Sequence, residues 1–75
     1  LAPSHPEATL LRAELLAARG DVAGAERECR RLLSAQPGHA GAWAALGEVE
    51  LLAGRPAAAA DCARRAAQLA PARAE

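Results

Sequence analysis

Residues 37–71 read PGHAGAWAALGEVELLAGRPAAAADCARRAAQLAP and run from one proline to another 34 positions later. Pro3 precedes Pro37 by the same interval, and Gly20 precedes Gly54 by it as well. A fixed period in this range is typical of proteins built from stacked helical repeats. The period therefore predicts two consecutive copies of one structural unit, and it pairs each residue of the first copy with an equivalent residue of the second.

The composition favours a small, closely packed helical domain. The chain has 75 residues and is 52% hydrophobic, but Ala supplies most of that fraction and one Trp is the only aromatic residue. Small side chains form a core only where backbones approach closely, as helices can do with Ala at their contacts. All nine basic residues are Arg, which together with the Ala excess suggests a GC-rich, bacterial coding genome.

The net charge and the two cysteines limit which binding partners and which cross-links the sequence supports. The net charge of zero argues against binding to nucleic acid or to an anionic membrane surface, and no run approaches the roughly 18 apolar residues of a membrane span. Cys29 and Cys62 lack CxxC spacing and stand one position out of repeat register, so we predict two buried thiols without a disulfide. We expect a cytoplasmic location, and a periplasmic one stays open because the chain begins in the middle of the repeat pattern.

Proline, glycine and capping residues place the helix boundaries. Pro6 suits a first helical turn, Asp21 suits an N-cap, and Gly20 and Gly54 suit helix ends. The predicted helices cover 6–18, from Asp21 through about 35, about 40–53, and 56 to about 69. The predicted fold is all-α, with two stacked antiparallel helix hairpins. The whole chain, 1–75, is expected to be one domain with repeat one at 6–37 and repeat two at 40–71, flanked by partial repeats at 1–3 and 72–75.

The size of each side chain suggests how the helices pack. Small residues at equivalent positions are expected at the helix contacts: Ala13, Gly47, Ala25 and Ala59. Large apolar residues are expected to fill the flanks of the core: Leu11, Leu15, Leu32, Leu33, Trp43, Leu46, Val49 and Leu69. We also predict that Trp43 is substantially buried against the preceding helix.

The second unit resembles the tetratricopeptide repeat pattern. It has the family's W-x₂-L-G signature from Trp43 to Gly47, a later Ala59 and a closing Pro71 at the family's 34-residue period. The first unit keeps the frame but has Thr9, Arg12 and Ala13 in place of Trp, Leu and Gly. In the second unit Glu50 replaces the preferred Tyr, and Ala63 replaces a bulky aromatic residue. The resemblance implies a right-handed α-solenoid that binds proteins or peptides without catalysis.

The resemblance also implies a binding groove along the concave face, which the first helix of each repeat lines. By analogy, the partner-binding residues are Glu7, Leu10, Glu14, Ala17, Ala44, Glu48 and Leu51, with Gly41 and Leu52 as neighbours. Such a groove is acidic and apolar, so a basic or apolar partner is expected. The alternative is that Glu14 and Glu48 are simply solvated. The clamp for peptide carboxylates known in one branch of the family needs Lys and Asn, and this sequence has Leu10, Glu14 and Ala45 there.

Other candidate sites carry weaker signals. The sequence has no phosphate-binding loop, GxSxG or HExxH motif, and we expect no catalytic, cofactor or metal residues. His5 and His39 precede equivalent helices and are expected to cap or pack locally, and Ser4 is expected to be a cap. A ridge of arginines is expected on the convex face, either solvated and paired or in contact with an acidic partner: Arg27, Arg30, Arg31, Arg64 and Arg65.

Three functions are compatible with the sequence. We expect a non-enzymatic scaffold that binds protein or peptide through the groove. The alternative is the recognition arm of a larger bacterial enzyme of the glycosyl- or sulfotransferase type. A third interpretation is an assembly element whose ends stack on neighbouring chains, so end-to-end self-association is also expected.

Overall fold

The computed structural model describes residues 5–69, which form four α-helices and no strand. They are α1 (Pro6–Ala18), α2 (Val22–Ala35), α3 (Ala40–Leu52) and α4 (Pro56–Leu69). The predicted boundaries are confirmed except at the end of α3, where Ala53 is the C-cap rather than part of the helix. Ser4, Pro71 and the partial repeats expected at 1–3 and 72–75 lie outside the described residues.

The helices pack in sequence order, as expected for stacked hairpins. α1 packs on α2, and α3 packs on α4, so each consecutive pair forms a hairpin. The first hairpin contacts the second through α2 and, less extensively, through α1, and both of these helices contact α3. The described part of the chain is therefore an all-α stack of two hairpins, as the sequence predicts.

The same glycine turn closes α1 and α3. Gly20 and Gly54 have φ values of 89° and 81°, a left-handed conformation that glycine adopts without the steric cost of a Cβ. The next residue donates its backbone N–H to the carbonyl five positions back, over 2.8 Å in both cases: Asp21 to Leu16 and Arg55 to Glu50. This pattern satisfies carbonyls that the end of a helix leaves unpaired. The repeat period therefore reproduces the turn geometry as well as the residue type.

Side-chain caps differ from helix to helix. The Asp21 carboxylate accepts the backbone N–H of Gly24 over 2.9 Å, which confirms it as the cap of α2. His39 caps α3, because its Nδ1 accepts the N–H of Ala42 over 3.0 Å. His5 precedes α1 but makes no side-chain cap and is exposed. The expectation of a local capping role is therefore confirmed for His39 alone.

The core forms where small side chains let the helices approach. Ala13 and Ala25 are almost completely buried, and a Cβ built on Gly47 would lie 3.4 Å from both the Ala59 carbonyl oxygen and the Cys62 Cβ. The central cluster of buried residues contains Ala13, Ala25, Cys29, Leu46, Val49 and Cys62. Both cysteines are free and buried, which confirms the prediction of unlinked thiols.

Several leucines predicted in the core are exposed instead. Leu11, Leu15 and Leu69 are 60%, 63% and 39% exposed. Leu11 and Leu15 project from the side of α1 opposite to Ala13, and neither α2 nor α3 covers that side. Leu69 is the last residue of α4, and residues 67–69 are all exposed. Periodicity predicted apolar faces correctly, but it did not show which of them a neighbouring helix covers.

Trp43 is half-buried, less than the sequence predicts. Its ring packs beside the core cluster, while its indole N–H donates to the Pro37 carbonyl over 2.9 Å in an exposed position. The Arg65 guanidinium lies 5.2 Å from the ring centroid, within the range of a cation–π contact. Trp43 therefore links the turn before α3 to the core and to α4, and its outer edge stays in water.

Candidate functional site

A shallow pocket lies between α1 and α3, the first helices of the two hairpins. Its lining residues follow the three- and four-residue spacing of one helical face on each side: Ala13, Glu14 and Ala17 on α1, and Ala45, Glu48, Val49 and Leu52 on α3. The floor is made of small and aliphatic side chains, and the polar groups are two carboxylates in equivalent positions. We call this pocket the α1–α3 groove.

The structure brings together three of the seven predicted groove residues. Glu14, Ala17 and Glu48 line the α1–α3 groove, as does the neighbouring position Leu52. Leu10 lies close by at the start of the two helices, where its Cδ1 is 3.4 Å from a Cβ built on Gly41.

The other three predicted residues do not line the groove. Glu7 is exposed near the start of α1, two turns before Glu14. Ala44 and Leu51 are exposed on a side of α3 that does not face α1, because they are seven residues apart and share a face distinct from that of Ala45 and Val49. Both residues are exposed, and their role in binding a partner stays a prediction.

The rim of the groove is negative. Glu14 and Glu48 are exposed, and among residues 5–69 neither forms an ion pair. The groove lining includes no Arg or His. A partner segment lying in the groove would therefore meet two uncompensated carboxylates above an apolar floor.

Comparison with known proteins supports the repeat assignment. A family model described as a tetratricopeptide repeat matches residues 6–49, which cover the first hairpin and most of α3. The chain belongs to the tetratricopeptide repeat family. Searches of curated proteins and of solved structures found no match. The tetratricopeptide assignment therefore rests on the family model, and the four-helix stack agrees with it.

Sequence analysis did not identify Glu50 as a buried charged residue. Glu50 stands where the tetratricopeptide pattern prefers Tyr, and it is only 2% exposed. Its Oε1 accepts a hydrogen bond from Arg55 over 2.7 Å, and its Oε2 lies 3.5 Å from an Arg30 Nη. The signal was present in the sequence, because Glu50 continues the buried face of Leu46 and an arginine follows it in the turn. Only the fold shows that two arginines reach this carboxylate.

Glu26 completes a four-residue ion cluster at the junction of the hairpins. Its carboxylate accepts from Arg30 at 2.9 Å and from Arg55 at 3.3 Å, so both arginines bridge Glu26 and Glu50. The hydrogen bond from Arg30 lowers the pKa of Glu26. Burial opposes this effect, and the hydrogen bond from Arg55 lowers the pKa further. We call these residues the Glu50 cluster. They connect α2, α3 and the turn before α4, and no polar side-chain atom buried within residues 5–69 lacks a partner.

The arginine ridge on α2 and α4 is largely paired. All five of its arginines are exposed. Arg30 pairs with Glu26, and Arg64 pairs with Asp61. Arg31 lies 3.8 Å from Glu28, and Arg65 lies over Trp43. These contacts agree with the interpretation of the ridge as a solvated, locally neutralised face.

Residues 5–69 contain no cluster of three or more His, Cys, Asp or Glu side chains that could hold a metal ion. His39 already uses its Nδ1 lone pair to cap α3. None of the four helices is both long and apolar enough to cross a bilayer.

Proposed function

We propose that this tetratricopeptide repeat domain is a non-catalytic binding module that holds a segment of another protein in the α1–α3 groove. The segment that fits this groove has apolar side chains next to Arg or Lys. Tetratricopeptide repeats generally mediate protein–protein interaction. The apolar floor and acidic rim of the α1–α3 groove support this location and this charge preference.

The observation that carries the proposal is the composition of the groove. The half-buried Ala17 and Ala45 and the exposed Leu52 offer an apolar surface that a partner's apolar side chain can cover, above the buried Ala13 and Val49. Glu14 and Glu48 stand one repeat apart on the rim and are exposed, so they can pair with a partner without first breaking an ion pair within residues 5–69. Complementary rim charges mainly raise the association rate and set partner preference.

The same charges disfavour acidic ligands. A peptide carboxylate placed beside Glu14 or Glu48 would meet like charge, and the groove lining offers no Arg or His to compensate. This supports a basic or apolar internal segment as the ligand, rather than the free carboxyl terminus of a partner.

A selection from a phage-displayed library of random peptides tests the proposal. Peptides enriched on the 75-residue chain should combine Arg or Lys with large apolar residues. Glu48→Arg should weaken their binding about tenfold at low salt, and less at high salt, because the reversed charge repels them. Asp61→Arg is the matched control, since it makes the same charge change on α4 away from the groove, and it should leave binding unchanged. Equal binding to parent and Glu48→Arg would place the interface elsewhere.

A further inference from the structure

Arg65, on α4, is the member of the arginine ridge that lies over an aromatic ring. Its guanidinium is 5.2 Å from the centroid of the Trp43 ring. Arg65 is exposed, and among residues 5–69 it forms no ion pair with a carboxylate. Stacking on a ring restricts an arginine side chain without using its N–H groups. The guanidinium of Arg65 is therefore held in place and keeps its planar set of donors for another acceptor.

The first hairpin shows why Arg65 has no carboxylate partner. The equivalent residue on α2 is Arg31, which lies 3.8 Å from Glu28. One period after Glu28 the chain has the buried Cys62, so Arg65 lacks the corresponding carboxylate. The only aromatic ring of the chain supports Arg65 instead. The second hairpin thus has a stacked arginine where the first has an ion pair, and a positive charge stays available on its surface.

Three other side chains of α4 share a surface pocket with Arg65. They are Asp61, Arg64 and Gln68, and the three- and four-residue spacing places all four on one face of the helix. We call this site the Arg65 pocket. Arg64 pairs with Asp61, which leaves Arg65 as the uncompensated charge of the lining. The amide group of Gln68 supplies further N–H donors on the same face.

The repeat register shows that this face stays exposed when another helix packs on the hairpin. One period earlier, the four lining positions correspond to Arg27, Arg30, Arg31 and Ser34. All four are exposed, although α3 packs on α2 and the chain continues past it. The side chains of Arg30 and Arg31 are still 60% and 67% exposed, whereas Cys29 on the same helix is completely buried. The accessibility of the Arg65 pocket therefore does not depend on which element follows α4.

We propose that the Arg65 pocket binds a carboxylate from an acidic segment of a partner protein. A guanidinium and a carboxylate match in shape and can form two parallel hydrogen bonds. Two arginines and one aspartate give the lining a single net positive charge, which one carboxylate neutralises, whereas a phosphate group carries nearly twice that charge. The outer edge of Trp43 is solvated beside Arg65, so an apolar side chain next to the acidic residue can cover it.

The Arg65 pocket is separate from the α1–α3 groove and takes a ligand of the opposite charge. None of its four lining residues lines the groove. The two binding proposals can therefore fail independently. Glu48→Arg should not weaken the binding of an acidic peptide, and Arg65→Gln should not weaken the binding of a basic one.

Fluorescence of Trp43 measures binding at this site directly, because the chain has no other Trp and no Tyr. Titration of the 75-residue chain with a capped peptide built from Glu, Leu and Ser should give a saturable change in the emission. The same peptide with Gln in place of Glu should bind at least about fivefold more weakly, because it offers no charged acceptor. The difference between the two peptides should shrink at high salt.

Variants of exposed residues test which arginine binds the peptide. Arg65→Gln should weaken binding of the Glu peptide at least about fivefold, and Asp61→Asn should strengthen it about twofold because it releases Arg64. Arg27→Gln is the matched control, since Arg27 is exposed, forms no ion pair among residues 5–69 and lies on α2, and it should bind like the parent. Circular dichroism of each variant verifies that the helices are intact.

Three results would overturn the proposal. The first is equal binding of the Glu and Gln peptides to the parent chain. The second is a loss of binding in Arg27→Gln as large as that in Arg65→Gln, which would indicate a general charge effect. The third is a response of the Trp43 emission to inorganic phosphate at lower concentrations than to the Glu peptide, which would assign the pocket to phosphate groups.

Discussion

Leu16 and Glu50 occupy equivalent positions in the two hairpins, and so do Asp21 and Arg55, which follow the glycine turns. In the first hairpin, Leu16 packs against the core and Asp21 caps α2. In the second hairpin, Glu50 is buried and Arg55 turns back to bind it over 2.7 Å. The backbone hydrogen bond of the turn has the same length in both hairpins.

This difference shows that the 34-residue repeat keeps the backbone conformation of the turn the same. The side chains at the two positions can change, provided that both change together. A carboxylate at position 50 needs a cation within reach, and Arg55 and Arg30 supply it. Asp at position 55, as in the first hairpin, would instead place a second carboxylate beside Glu50. The combination of Leu16 with Asp21 and the ion pair of Glu50 with Arg55 are therefore alternative solutions for one geometry, and changing only one residue of the ion pair should be costly.

The largest effect should come from removing one half of the ionic pair. Leaving a buried carboxylate without its partner destabilises a fold by about 3 to 5 kcal/mol. Arg30 stays 3.5 Å from Glu50 and retains part of the compensation. We therefore expect Arg55→Ala to lower the melting temperature by about 15 °C, measured by circular dichroism at pH 7.

Two further variants determine whether the loss comes from Glu50. Glu50→Leu combined with Arg55→Ala should recover most of the stability, because it restores the apolar interior of the first hairpin. Arg27→Ala, at an exposed position of α2 outside the Glu50 cluster, is the control for loss of an arginine and should change the melting temperature little. If the double variant is as unstable as Arg55→Ala alone, Arg55 stabilises the turn by some means other than its pairing with Glu50.

The sequence predicts the helices of this protein better than it predicts which side chains are buried. The period and the turn glycines predict all four helices, because helix ends depend on local residues such as Gly20 and Pro56. Burial depends on which neighbouring helix is present, so the sequence placed Leu15 in the core although nothing within residues 5–69 covers it. Glu50 was missed for a related reason, since Arg30 is 20 residues away in sequence and reaches it only through the packing of α2 on α3.

The sequence also predicts the groove only in part. The register predicts that Glu14 and Glu48 lie on equivalent faces, and both line the α1–α3 groove. Leu51 is the equivalent of Ala17, but Ala17 lies beside α3, whereas Leu51 lies on a side of α3 away from α1 and is exposed. A one-dimensional period specifies which positions are equivalent, but not which of them share a cavity.

Trp43 and Thr9 provide the second test of the comparison, because they occupy equivalent positions at the starts of α3 and α1. Trp43→Ala should lower the free energy of unfolding by about 2 kcal/mol. A fully buried Trp typically contributes about 3 to 5 kcal/mol, and the effect is smaller here because the outer edge of the ring is solvated. Thr9→Ala should change it by no more than about 0.5 kcal/mol. Urea unfolding of both variants measures the difference. Equal losses would mean that the two hairpins contribute alike at this position.

The smallest effect should come from the buried thiol of the first hairpin, Cys29, whose equivalent in the second is the exposed Ala63. Burial raises the pKa of Cys29 from 9.0 to about 11. Its neutral form is therefore favoured in the folded state, and the stability it contributes is present below pH 9 and lost as the pH rises toward 11. At pH 10 the loss should be about 1 kcal/mol relative to pH 8.

The composition makes this test unusually selective. The chain has no Tyr and no Lys, so its two cysteines are the only side chains with ordinary pKa values between about 8 and 11. Burial also raises the pKa of Cys62, so Cys29→Ala should remove most, but not all, of the decline in urea stability between pH 8 and pH 10. Cys62→Ala is the matched control and should preserve most of the decline. A parent profile without any decline would contradict burial of Cys29 between the hairpins, because a thiol that water reaches in the folded state titrates there much as it does in the unfolded chain.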